Sequence, residues 1–213
     1  FGGESYARPT AAPLFGGSFV AEDHRFLSAA GIHAAKRILC VLSRQFENIK
    51  YAPCLPDLVL VCLHYLSERE TFKVACTLLR KSVATCQYLS TTEAQFQALM
   101  SRLAKGIKTH VPKIYQHMKQ LDVRLPSCIE PWVRRLFVGA LPVEVAIHLF
   151  DGYMCLGIVF ILKVSVALLH LHQEMLLSCR SAGQFTRVLK GCVKTCTFGD
   201  LIVEAALQVK GIK

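Results

Sequence analysis

One local signature occurs three times in this chain and limits it to helices. A serine is followed three residues later by a glutamate, just ahead of apolar residues at helical spacing. The three copies are Ser67-Glu-Arg-Glu70, Ser90-Thr-Thr-Glu93 and Ser127-Cys-Ile-Glu130. In each, the serine hydroxyl is expected to accept an orphan backbone N–H while the glutamate reaches back to the cap. The first opens a run through Phe72, Ala75 and Leu79, the second one through Phe96, Leu99 and Leu103. The third leads to Trp132 and Leu136, with Pro131 near the first turn. Further upstream, Ile32, Ala35, Ile38, Leu39 and Leu42 follow the i, i+3, i+4 pattern, with Phe46 one turn on. No alternating strand pattern with hairpin signals and no fixed-period repeat accompanies them. The expected fold class is all-α, a bundle of roughly eight to ten helices.

Proline and glycine divide the remainder. Pro53 and Pro56 precede a short apolar helix over 57–66, and Pro112 splits the long helix that follows Ser90. Pro142 starts another helix through Val145 and Leu149. Gly157 separates it from the most apolar stretch, 158–177, and two helices near 184–193 and 200–209 follow. Residues 1–26, rich in Gly, Pro, Ala and Ser, read as a loop or N-terminal extension. The helical domain is expected over 27–213, with a C-terminal lobe from about 127. The chain opens on Phe1, so an upstream segment is expected to be missing.

Could the stretch 153–177 span a membrane? Lys163 would sit near its middle at about 2.5–3.5 kcal/mol on insertion scales, and His170, His172 and Glu174 crowd one end. A buried core helix with Lys163 snorkelling to the surface fits better. A composition that is 53% hydrophobic and 19% charged can fill such a core and excludes general disorder.

The ten cysteines are scattered, contain no Cys-x-x-Cys pair and fall mostly within apolar runs, which points to free thiols in a reducing, cytosolic compartment. No metal site is expected. Cys192 and Cys196 share a helix face, but His170 and His172 point to opposite sides of theirs. No glycine-rich phosphate loop is present, and no cofactor is expected.

The formal charge is +10 and unevenly placed. Between Glu93 and Asp122 there is no acid, while Arg102, Lys105, Lys108, Lys113 and Lys119 are present. A second acid-free stretch carries Arg180, Arg187, Lys190 and Lys194. Arg102, Lys105 and Lys108 fall on or near one helical stripe, and Arg187, Lys190 and Lys194 share a face at i, i+3, i+7. Such runs are read either as solvated helix surface or as docking sites for an anionic membrane, at about 1 kcal/mol per basic residue near the surface. Nucleic acid is not expected as a partner, because no aromatic residues interleave with the charges as stacking platforms.

Residues 132–157 carry a spaced motif: Trp132, Phe137, Leu141-Pro142, His148-Leu149-Phe150-Asp151 and Gly157. This resembles the most recognisable block of TBC domains, the fold of Rab GTPase-activating proteins. A second block, residues 36–56, resembles the segment leading to that family's Tyr-x-Gln. It is most similar to the branch in which a TBC domain is joined to a TLDc domain, the Skywalker type. The resemblance covers about residues 19–178 and lacks the family's N-terminal Arg-x-x-x-Trp region. Trp132, Phe137, Leu141 and Phe150 read first as core packing and identify a fold rather than a reaction, and Asp151 as a brace on a neighbouring helix.

What the resemblance implies is a partner GTPase of Rab or Arf type and two catalytic fingers supplied in trans. An arginine neutralises charge on the transferred phosphoryl group and a glutamine orients the attacking water. Here Tyr51-Ala52-Pro53 stands where Tyr-x-Gln is expected, and proline has no amide to hold a water. Arg25, in Phe19-Val-Ala-Glu22-Asp-His-Arg25, is the candidate finger in degenerate form; read without the family it is a solvated loop charge. The resemblance therefore implies a weak or inactive activator that binds a small GTPase or a phosphoinositide membrane, cytoplasmic and peripheral on vesicle or plasma membrane. Skywalker-type domains bind phosphoinositide headgroups through a cationic pocket, and the family arginine before the aromatic-Asp pair is His148 here. The alternatives are an active enzyme using Arg25 and a structural subunit of a larger assembly.

Overall fold

Ser28 starts the first helix by accepting the Gly31 N–H, and eleven helices follow among the described residues, 13–19 and 27–212 of a computed structural model. They are α1 (Ala29–Gln45), α2 (Leu55–Cys62), α3 (Glu68–Thr85), α4 (Glu93–His110), α5 (Pro112–Gln120), α6 (Leu125–Arg134), α7 (Val143–Leu156), α8 (Ile158–Leu171), α9 (Gln173–Leu177), α10 (Ala182–Lys194) and α11 (Gly199–Gln208). The all-α class holds. The count exceeds the expected range because the stretch 158–177 breaks at His172 into α8 and the five-residue α9. The α2 helix starts two residues earlier than expected and stops at Cys62, with a turn over 63–66.

Only one of the three capping boxes forms as expected. At Ser67, the hydroxyl accepts the Glu70 N–H while the Glu70 carboxylate accepts the Ser67 N–H at 2.9 Å. The second helix start is displaced by two residues. Thr92 caps α4 by accepting the Gln95 N–H at 3.2 Å, and the Gln95 side chain accepts the Thr91 N–H at 2.7 Å. A hydroxyl-x-x-amide box thus outcompetes the Ser90 box, and Glu93 is released for another role. The third box is absent. The α6 helix starts at Leu125, so Ser127 lies inside it and Pro131 sits in its body rather than near its first turn. Pro126, with its φ already set for a helical first turn, explains the earlier start.

The centre is α8. Ten of its residues are buried, on every side, and it packs against α4, α6, α7, α9 and α11. Each fully buried Leu, Ile, Val or Phe contributes about 1.5–3 kcal/mol of transfer free energy, so this helix dominates the core. Lys163, the one charge in it, is half-buried and reaches outward as expected. Among the described residues no helix is long and apolar enough to cross a membrane. The α1, α2 and α3 helices pack on one another at the other end of the chain.

The 132–157 motif is core, as its structural reading required. The Trp132 and Phe137 rings lie 5.5 Å apart, and Leu141 and Leu149 are buried. Phe150 is half-buried against Tyr153, whose hydroxyl donates to the Tyr88 carbonyl at 3.0 Å. Pro142 precedes α7 directly. Asp151 is exposed and braces nothing among the described residues. Gly157 has φ +71° and lies so close to the 86–92 linker that a Cβ would meet the Gln87 carbonyl oxygen at 2.2 Å. That carbonyl accepts the Ile158 N–H at 2.8 Å, tying the α7–α8 junction to the α3–α4 junction.

All ten cysteines are free and most are buried. Burial pushes the Cys62 thiol up to about 12, which makes it a poor nucleophile.

Gly157→Ala is expected to lower stability by about 2–4 kcal/mol, since both its backbone conformation and the Gln87 carbonyl oppose a Cβ. Gly191→Ala, in the body of α10 with nothing near a new Cβ, should instead stabilise by about 0.8 kcal/mol. Urea unfolding of the two variants checks both the signs and the gap between them.

Candidate functional site

The segment 51–53 leads into α2 and is covered by the loop 13–19. Phe15 accepts the Ala52 N–H at 2.7 Å, and Tyr51 lies against Gly16. Gly17 sits directly on Pro53: a Cβ there would meet the Pro53 carbonyl oxygen at 2.2 Å, so only glycine permits this approach. Pro53 is consequently buried. Arg25 lies outside the described residues.

Beside this loop the end of α6 meets the start of α4. Arg134 bonds Glu130 at 2.6 Å, one turn back on its own helix, and lies 3.6 Å from Glu93. It also donates to the Tyr51 hydroxyl at 3.1 Å, and its guanidinium lies over the Phe96 ring at 4.4 Å. Burial opposes the Arg134 charge, but Glu130, Tyr51 and Glu93 more than offset it and raise its pKa. Burial, then a hydrogen bond to Glu93, raises the Tyr51 pKa so that it stays a neutral phenol. Hydrogen bonds from Gln97 and then Tyr51 hold the Glu93 carboxyl below its ordinary range. The displaced start of α4 is what places Glu93 here.

The neighbouring Arg135 turns inward. Its guanidinium makes two 3.0 Å bonds to Asp57, which is fully buried in α2. This pair and the 3.1 Å bond from the Cys54 thiol to the Val133 carbonyl fix α6 on α2. Beyond Arg135, Leu136 and Phe137 both adopt positive φ, at 51° and 65°, and turn the chain back sharply. A cleft of about 510 Å³ results, lined by Gly16, Gly17, Ser18, Glu130, Pro131, Arg134 and Arg135.

The basic residues named from the sequence do not gather in one place. Arg102 and Lys105 line a groove of about 260 Å³ with Gly106, Thr109, His110 and the segment 210–212; Lys108 is exposed outside it. Arg187 and Lys190 line a different cleft, about 620 Å³, with Arg124 and Asp122, and Lys194 is exposed one turn on. His148 joins neither. Its Nε2 lies 2.9 Å from the Asp200 carboxylate at the start of α11, where Gly199 packs on the ring. Among the described residues no group of His, Cys, Asp and Glu is placed to hold a metal ion.

Residues 18–177 match the Rab-GTPase-TBC domain family. The chain belongs to that family. Among curated TBC relatives, a TBC domain-containing protein of Schizosaccharomyces pombe is 24% identical over 177 residues, 83% of this chain and 23% of its own length. TBC1 domain family member 24 of Xenopus tropicalis is 26% identical over 144 residues, 67% of this chain and 25% of its own length. The chain spans only 15% to 25% of the length of curated relatives that it matches. The crystal structure of the Skywalker TBC domain from Drosophila melanogaster, in complex with inositol(1,4,5)triphosphate, superposes with a TM-score of 0.79 at 20% identity. It covers 100% of this chain and 77% of that one. The Chlamydomonas flagellar RabGAP TBC domain gives 0.71 at 22% identity, over 84% and 60%. At these identities the structural likeness establishes the TBC fold.

Sequence reasoning passed over Arg134, Arg135 and Asp57, and read Glu130 only as part of a cap. The signals were there: Glu130 and Arg134 stand at i, i+4, and Asp57 is an acid inside an otherwise apolar helix, which calls for a buried cationic partner. Arg135→Met should destabilise the fold by about 3–5 kcal/mol, because a carboxylate stays buried after its guanidinium is lost. The double variant Arg135→Met with Asp57→Leu should recover most of that loss. Thermal unfolding of both tests whether the pair is bound as the geometry indicates.

Proposed function

We propose that this chain is a TBC module that binds a small GTPase of Rab or Arf type without efficiently accelerating GTP hydrolysis, and that it works at anionic membranes in trafficking. The observation that carries the first half is the burial of Pro53 beneath Gly17. The family chemistry needs an extended carboxamide at that point to steer a water. Proline offers none, and it is buried beneath the covering loop. The surface next to it is not a substitute finger. Arg134 is held by Glu130, Glu93, Tyr51 and the Phe96 face, and pulling it out would break its 2.6 Å bond to Glu130.

The membrane half rests on the two basic clefts and on likeness. The Skywalker TBC domain was crystallised with an inositol phosphate, and this chain shares its fold. The pairing of His148 with Asp200 argues against an anion site at that junction, so any headgroup contact would fall at the basic clefts. The segment 122–128 and α10 form one cleft, and α4 with the segment 210–212 the other. In this reading the chain is cytoplasmic and peripheral on the membrane.

The test is a panel of Rab and Arf proteins, each assayed for binding in a GTP-analogue state and for stimulated GTP hydrolysis. Binding to at least one member is expected, with less than about tenfold acceleration where a complete pair of fingers supplies about 10³–10⁵-fold. Strong acceleration that disappears in Arg25→Ala would overturn the reading. Absence of binding across the whole panel would favour a scaffold role instead.

A further inference from the structure

The chain carries a formal charge of +10, yet two helices that pack on each other, α7 and α11, hold no lysine or arginine. Glu144 and Asp151 stand on the exposed stripe of α7, one turn either side of His148, and α11 adds the exposed Asp200 and Glu204. The His148–Asp200 bond and the packing of Gly199 on the His148 ring join the two helices into one acidic face.

Apolar side chains stand out from α11 and its start. Phe198 is 65% exposed, Leu201 48% and Leu207 52%, whereas every other helix or loop carries at most one large exposed apolar residue among those described. Phe198 is also fixed at its base. Its carbonyl accepts the Ile202 N–H at 3.1 Å, which closes the first turn of α11, and the adjoining Gly199 is seated on α7. A phenyl ring held this way and left in water is a preorganised anchor. An anionic membrane does not suit it, because Asp200, Glu204 and the α7 carboxylates would be repelled.

The complement lies on the same chain. The cleft beside α10 measures about 620 Å³, ample for a phenyl ring. Val123, Ala182, Thr186 and the buried Cys128 make its sheltered side, where the Cys128 Sγ lies 3.5 Å from the Thr186 Oγ1. Arg124, Arg187 and Lys190 are exposed at its edge against a single acid, Asp122, and the α10 helix has no acidic residue. An apolar floor inside a cationic edge matches a protruding phenylalanine flanked by carboxylates, in shape and in charge. A foreign partner would account for one of these surfaces. A second copy of the chain accounts for both.

We infer that the chain self-associates head to tail, with Phe198 of one copy seated in the cleft beside α10 of the next, and Asp200 and Glu204 set against Arg187 and Lys190. The contact uses a different surface on each copy, so it repeats as a ring or an open chain. It leaves the groove beside α4 to the membrane half of the proposed function and does not rest on the GTPase reading.

Sedimentation velocity of the whole chain at rising concentration tests it. Species heavier than one chain are expected by about 100 µM, since a single aromatic anchor offsets little more than the cost of association. Phe198→Ser removes the anchor. Gly183→Trp fills the cleft, and nothing lies within 4 Å of a Cβ at 183 to oppose the new side chain. Each variant alone should weaken association at least about tenfold. An equimolar mixture of the two should form pairs and nothing larger, because one retains the anchor and the other the cleft. Arg187→Glu with Lys190→Glu should also leave monomers, whereas Lys105→Glu with Lys108→Glu, the same charge change on α4, should not. A circular dichroism melt confirms that each variant is folded. A monomer at every concentration overturns the inference. So does association that survives Phe198→Ser or Gly183→Trp, which places the contact elsewhere, and so does a mixture that stays monomeric. Equal losses from the two charge reversals would replace the docked anchor with diffuse attraction and overturn it as well.

Discussion

A fourteen-residue helix that is apolar on every side has only two stable environments, lipid or the middle of other helices. The α8 helix is too short and carries Lys163 too near its centre for the first, so the second governs the architecture. Everything that bears on function is positioned by the covering it demands. The α4 helix lies on it and carries Arg102 and Lys105, while α11 lies on it and delivers the segment 210–212 against Gly106. The α6 helix lies on it as well and carries Arg134 and Arg135 to the loop at 51–53.

The two arginines at the end of α6 show how neighbouring residues of one type acquire opposite roles. Arg135 points into the fold, and its charge is tolerated because the Asp57 carboxylate meets it with two bonds. Arg134, one position on the other side, stays half-exposed and is held by a ring face, a phenol and two carboxylates. In the proposed reading this second cluster explains an inactive surface better than the loss of a glutamine alone would. In that reading no carboxamide stands at 53, and Arg134, the cation beside it among the described residues, is committed to other partners.

Much of the fold was legible because helices announce themselves locally. The 3.6-residue periodicity of α1, α3 and α4, the break at Pro112 and the stop at Gly157 were all readable before any packing was known. The helix starts were harder where two caps compete within four residues. At 90–95 the Thr92–Gln95 arrangement prevails over Ser90–Glu93, and Glu93 is left to meet Arg134 and Tyr51, which lie far away in sequence. The family was readable from Trp132 to Gly157 because most of those positions are core, and packing fixes their spacing. The groove beside α4 was half legible: the periodicity gave Arg102 and Lys105, but only a folded chain brings Lys210, more than a hundred residues on, to face them.

The contact between Gly17 and the Pro53 carbonyl also fixes a direction of change. In the proposed reading a glutamine placed at 53 would start from a buried backbone held beneath the loop 13–19. That loop would have to retreat before such a side chain could meet a water. In the proposed reading the glycine works as a ratchet: with the loop seated over the proline, a binder can drift into new partnerships but cannot step back to being an enzyme in a single move.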